Sequence, residues 1–188
     1  NIMHINLPNI FVFLDKYDKK ILENDNINLG IIYRNYQSKR REVELLKIAE
    51  ACKKNKRQLF VSNDIKLAIK IKAKGIYIPA FNKSKRFHNL EKKKLIILGS
   101  AHNQVEIQKK IEQNCSAIFL SPLFYVKKKN TFLGMHKFNY LTYANNIKFF
   151  ALGGITQNNI SKLNLLNIEG FGGISFFKKK TGLFTGRF

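Results

Sequence analysis

Short apolar runs alternate along the chain with longer segments in which apolar positions recur at helical spacing. Residues 9–14 read as a buried strand, followed by a charged helical stretch over 17–23. Residues 28–33 give the second strand, and residues 42–53 a one-sided helix with Val43, Leu45, Leu46, Ile48, Ala49 and Cys52 on its apolar face. The third strand covers 58–61 and its helix 64–72; the fourth covers 75–78 and stops at Pro79. A polar segment leads to strand five over 94–98, with a helix over 103–113. Strand six covers 116–120 and ends at Ser121-Pro122. A long loop over 123–133 then precedes a weak helix over 138–145. Strand seven covers 148–152, a helix over 156–166 takes Thr156 as its N-cap, and strand eight covers 170–173.

Strands that are apolar throughout and separated by helices point to a parallel sheet covered on its outer face. Eight such units predict closure into an α/β fold, a compact (β/α)₈ TIM barrel forming a single domain over 1–188, with a tail from about 178. Such barrels typically need about 250 residues, so a chain of 188 is stripped of insertions. The alternative, an open doubly wound sheet, lacks a Gly-rich dinucleotide fingerprint after its first strand.

Composition adjusts this picture in three places. The net charge of +22 invites a nucleic-acid partner. Arginine, however, occurs only at 34, 40, 41, 57, 86 and 187, and lysine scattered over helices and loops is a solvated surface rather than a base-reading one. No nucleic acid is expected, while attraction of small anions is. Cys52 and Cys115 sit alone in helical patterns as buried filler, which fits a reducing, cytoplasmic setting. No apolar run reaches membrane-spanning length and no signal-peptide pattern is present, so no membrane association is expected. The chain opens at Asn1 without an initiator Met, which points to a few residues ahead of it.

In a barrel of this kind the site lies at the C-terminal strand ends, with phosphate held after strands seven and eight. Gly153-Gly154-Ile155 follows strand seven, and Gly172-Gly173-Ile174-Ser175 is expected to follow strand eight and open the last helix. Glycine lets the backbone approach a phosphate, and a helix N-terminus offers N–H groups and a positive dipole end. Either pair alone is a tight turn; two at successive strand ends predict a phosphate site. Arg34, at the end of strand two, is placed to clamp phosphoryl oxygens as a fork.

At these residues the chain resembles the thiamine phosphate synthases and their TenI-type relatives. The resemblance is carried by Tyr33-Arg34-Asn35-Tyr36, Asn63-Asp64, Lys74-Gly75-Ile76-Tyr77-Ile78 and Leu98-Gly99-Ser100-Ala101-His102. It continues through Ser121-Pro122-Leu123-Phe124, Leu152-Gly153-Gly154-Ile155 and Ile174-Ser175. It implies an enzyme that joins a hydroxymethylpyrimidine pyrophosphate to a thiazole phosphate and releases pyrophosphate, with Mg²⁺ between carboxylates and substrate oxygens. Arg34 and His102 are then the implied catalytic residues and Asp64 the metal ligand, although Asp64 equally suits the cap of its helix. Tyr36, Asn63, Ser100, Lys129, Gly153, Gly154, Gly173, Ile174 and Ser175 would bind substrate. The lysines at 127, 128 and 129 lie in a loop that is able to cover the site, or is simply solvated. Two alternatives stand beside the synthase: a metal-free TenI-type thiazole tautomerase using His102 to move a proton, and a non-catalytic phosphate-binding barrel. Either is compatible with a homo-oligomer.

Three departures bear on the pyrophosphate half of that site. Ile32 stands where the family has Gln, Tyr36 where it has Lys, and Asn82 where it has a second metal-binding Asp. The loop after strand six keeps only the terminal lysine, Lys129. The single-phosphate half retains its residues.

Overall fold

In the computed structural model, which describes residues 6–23, 28–87, 90–127 and 129–173, eight parallel strands close into a barrel in chain order. The elements are β1 (Ile10–Leu14), α1 (Lys19–Leu22), β2 (Leu29–Tyr33), α2 (Arg41–Lys54), β3 (Gln58–Ser62), α3 (Ile65–Lys70) and β4 (Gly75–Ile78). They continue through β5 (Ile96–Ala101), α4 (Gln104–Glu112), β6 (Ala117–Leu120), α5 (Gly134–Tyr143), β7 (Lys148–Leu152) and β8 (Gly170–Gly173). Closure comes from β8 against β1, with Phe11 opposite Gly172 and Val12 opposite Gly173. The expected TIM barrel is therefore the observed architecture.

Each strand is buried on both faces, and the alternation of side chains sorts them. Val12, Ile31, Val61, Ile76 and Ile97 face the helices, whereas Phe11, Phe13, Phe60, Tyr77, Phe119 and Phe150 fill the interior. The inner rings meet edge-on, Phe11 lying 5.2 Å from Phe119 and 5.0 Å from Phe150 between centroids. So many rings fit because neighbouring strands give up side chains. A Cβ at Gly30 would collide with the Phe11 ring, and one at Gly172 would come within 3.0 Å of Phe13 and 3.1 Å of Phe119. The barrel is thus solid below its C-terminal mouth, and a ligand has space only above these rings.

Several boundaries differ from the sequence reading. Strand five runs to Ala101 rather than ending at Leu98. Its alternation continues through Gly99 and Ser100, with Ser100 lining the mouth and Gly99 facing α4. The helix expected over 156–166 is a 3-10 segment, Ile160–Leu165. Thr156 is not its cap; instead the Asn159 side chain accepts from the Thr156 N–H at 2.8 Å and donates to the Gly154 carbonyl at 2.9 Å. The last long helix begins at Gly134, earlier than its apolar pattern indicates. Strand eight covers Gly170–Gly173 as expected, so Gly172 and Gly173 lie within it and do not form a turn after it. The expected final helix and tail lie outside the described residues.

Both cysteines are buried, as expected, and burial pushes each thiol up to about 12. No helix among the described residues is long and apolar enough to cross a membrane.

Candidate functional site

A cavity of about 640 Å³ opens at the C-terminal ends of the strands, between the loops that follow β2, β4, β5, β6 and β7. Its two sides are built differently.

On the side of β6 to β8, the chain leaves β7 through Gly153 (φ 92°) and Gly154 (φ 72°), both in the left-handed region that favours glycine. Space demands glycine as well. A Cβ on Gly153 would lie 2.8 Å from Pro122, and one on Gly154 would lie 2.6 Å from backbone atoms of Phe124 and Tyr125. The turn is pressed against the β6 loop and tied to it by Leu123 N–H to the Leu152 carbonyl (2.9 Å) and Phe124 N–H to the Gly153 carbonyl (3.1 Å). Among the described residues no hydrogen bond takes up the N–H groups of Gly153 or Gly154. Both residues line the cavity.

His102 and Lys129 complete this side. Asn103 caps α4 by accepting from the Glu106 N–H at 2.9 Å, and Glu106 reaches back to accept from the His102 N–H at 2.7 Å. The imidazole is thereby delivered to the mouth. Its Nδ1 lies 2.7 Å from the Ser121 carbonyl oxygen and 3.1 Å from the Ser121 hydroxyl. A carbonyl only accepts, so Nδ1 carries the proton and Nε2 is the free acceptor. Lys129 Nζ stands 3.4 Å from that Nε2. Lys129 arrives from the β6 loop through a bridge in which its N–H donates to the Val126 carbonyl at 2.8 Å. The result is an ammonium group and unpaired backbone N–H groups around one cavity, an arrangement suited to an anionic oxygen cluster.

On the side of β2 to β4 the polar groups satisfy one another. Arg34 lines the cavity but donates from Nε and Nη2 to both carboxylate oxygens of Asp15, at 3.1 and 3.0 Å. Burial works against its charge, and the Asp15 fork outweighs that and raises its pKa. Tyr36 meets Phe81 edge-on at 6.0 Å across the rim. Burial raises the Tyr36 phenol, opposed by Arg34 and Arg41. Asp64 accepts from the Leu67 N–H at 2.9 Å, capping α3, and lies 3.8 Å from Arg41. Asn82 donates its amide to the Asn63 side chain at 2.8 Å. Neither Asn63 nor Asp64 lines the cavity.

That donor set does not fit a resident divalent ion. Among the described residues no group of three potential ligands converges, and both carboxylates on this side are engaged, Asp15 by the Arg34 fork and Asp64 by a helix N–H with Arg41 beside it.

The structure therefore gathers Arg34, Tyr36, Ser100, His102, Lys129, Gly153, Gly154 and Gly173 around one cavity and leaves Asn63 and Asp64 beside it. Ile174, Ser175 and Lys128 lie outside the described residues. Sequence reasoning did not single out Tyr77, Phe81, Glu106 or Leu152, which also line the cavity. The inward alternation of β4 and β7 points to Tyr77 and Leu152, and the helix cap at Asn103 points to Glu106; nothing local marks Phe81.

Residues 24–177 match the family model described as thiamine monophosphate synthase. A thiamine-phosphate synthase of Prochlorococcus marinus subsp. pastoris is 34% identical over 123 residues, covering 64% of this chain and 35% of that protein. One from Clostridium perfringens (strain SM101 / Type A) is 29% identical over 154 residues, covering 78% and 74%. The chain thus spans about a third of the length of the Prochlorococcus relative. A solved thiamine phosphate pyrophosphorylase from Pyrococcus furiosus superposes with a TM-score of 0.74 at 17% identity, over 88% of this chain and 85% of that one, and shows the shared barrel.

Proposed function

The chain belongs to the thiamine monophosphate synthase family, and from that premise we propose that its mouth couples a hydroxymethylpyrimidine pyrophosphate to a thiazole phosphate and releases pyrophosphate. The observation that carries the reading is the Gly153-Gly154 turn, whose N–H groups make no hydrogen bond among the described residues and which lines a cavity that Lys129 also lines. In this reading the turn and Lys129 hold the thiazole phosphate. Ser100 and His102 fix the heterocycle, and Arg34 meets the pyrophosphate.

The Arg34–Asp15 pair supports that last role rather than opposing it. Its side chains are 32% and 52% exposed, and an exposed pair contributes about 0–1 kcal/mol, so a phosphoryl oxygen can exchange for Asp15 at small cost. Departure of pyrophosphate places negative charge where Arg34 stands, and the guanidinium, once exchanged from Asp15, stabilises it. No step is assigned to Mg²⁺, because the residues beside Asp64 do not fit it. Asp64 and Asn63 act instead through the loops they order. The tautomerase reading draws on His102, but Nε2 faces Lys129, and the matched relatives are named as synthases.

Incubating the protein with both substrates, with and without Mg²⁺, tests the proposal. Thiamine phosphate and pyrophosphate in equal amounts are expected. No product at enzyme concentrations matching substrate would rule the synthase reading out.

A further inference from the structure

Lys110 has no part in the chemistry above, yet its side chain is fully buried, at 0% exposure. Burying an ammonium group costs several kcal/mol unless its donors are bonded. All three donors of Lys110 have an acceptor: the Pro79 carbonyl at 2.9 Å, the Asn82 carbonyl at 2.8 Å and Gln113 Oε1 at 2.8 Å. Gln113, itself buried, donates to the Asn82 carbonyl at 3.1 Å and the Ser84 carbonyl at 2.8 Å. The C-terminal end of α4 thus grips residues 79–84, a stretch with no helix or strand of its own.

The barrel wall makes room for this grip. A Cβ on Gly99 would lie 2.8 Å from Lys110 Cδ, so β5 gives up a side chain where the lysine stem passes. What the gripped segment carries is the rim of the mouth. Phe81, 71% exposed, meets Tyr36 there, and the Asn82 amide reaches Asn63. No carboxylate bonds the ammonium among the described residues; three oxygens hold it instead, and two of them are rim carbonyls that an apolar side chain at 110 would leave without this donor.

We infer that Lys110 is a positioning residue for the mouth: by holding the carbonyls of Pro79 and Asn82 it fixes Phe81 and Asn82 before any ligand arrives. The inference concerns the ligand-free chain, so it stands or falls separately from the synthase reading.

Amide hydrogen exchange over residues 80–84 tests it in wild type, Lys110→Ala, and Lys110→Ala with propylammonium or with propanol. Lys110→Ala is expected to speed exchange in this segment by about tenfold or more, with the strand amides of β1–β8 unaffected. Propylammonium should restore the protection and propanol should not, because only the cation supplies three donors. Unchanged exchange in the segment, or equal rescue by propanol, would overturn the inference. If Lys110→Ala does not fold, Gln113→Leu decides the matter. It removes the bonds to Asn82 and Ser84, and should speed exchange at residues 82–84 several-fold with an unaltered far-UV spectrum; no change would overturn the inference equally.

Discussion

The two sides of the mouth use polar groups in opposite ways. On the β6–β8 side, Gly153, Gly154 and Lys129 line the cavity, and neither the two glycine N–H groups nor the ammonium has an anionic partner among the described residues. On the β2–β4 side, Arg34 is forked onto Asp15, Arg41 lies beside Asp64 and Asn82 is bonded to Asn63. The first side is preorganised for an anion. The second must exchange partners to receive one. A site of this kind is expected to bind one phosphate more firmly than a second anionic group, which must compete for its partners.

The strongest way to break that contrast is Gly154→Val. A β-branched residue there meets both the left-handed φ and the backbone of Phe124 and Tyr125 at 2.6 Å. Backbone strain and overpacking together are expected to cost about 3 kcal/mol or more. Thermal unfolding should show the loss, and calorimetry should show no thiazole phosphate binding.

Lys129→Ala comes next. It deletes a charged donor without touching the bridge, which is made by the Lys129 backbone. Loss of one charge-assisted hydrogen bond should weaken thiazole phosphate by about 10- to 100-fold, with an unchanged melting temperature. An affinity within about twofold of wild type would remove the lysine from the site.

Asp64→Ala sharpens the other side. Losing the α3 cap should lower stability by about 1 kcal/mol and leave thiazole phosphate affinity unchanged. Mg²⁺ alone should not raise the melting temperature of the wild-type protein. A clear rise, lost in Asp64→Ala, would return the carboxylate to metal binding.

The last test is one of pH. Burial lowers the Lys110 pKa from 10.5 to about 8, with Cys115 and Glu106 acting in the opposite direction. Between those values the unfolded chain binds the extra proton and the folded chain does not, so stability rises with pH through that window. Denaturant unfolding from pH 8 to 10 should show a rise attributable to this site in wild type that is missing in Lys110→Met.

The barrel was legible because strands buried on both faces write themselves as unbroken apolar runs, as in residues 10–14 and 29–33. The glycine turn was legible for a related reason: Gly153 and Gly154 take a backbone conformation that other residues rarely adopt. The end of strand five was not legible because Gly99 and Ser100 look like a turn, and the Cys115 sulfur and Lys110 stem packed behind Gly99 explain a glycine inside a strand. The pairing of Arg34 with Asp15 and of Arg41 with Asp64 was not legible, since each joins residues brought together by different strand–helix units. Lys110 was hidden among surface lysines for the same reason; its acceptors lie 28 and 31 residues away.

The central claim concerns where a phosphate ester sits, and backbone amide chemical shifts report on that most directly. Titrating the isotope-labelled protein with thiazole phosphate, without Mg²⁺, should move the amide resonances of Gly153 and Gly154 furthest, with saturation at one equivalent. Shifts centred instead on the ends of β2 to β4, or no saturable shift at Gly153 and Gly154, would contradict the account.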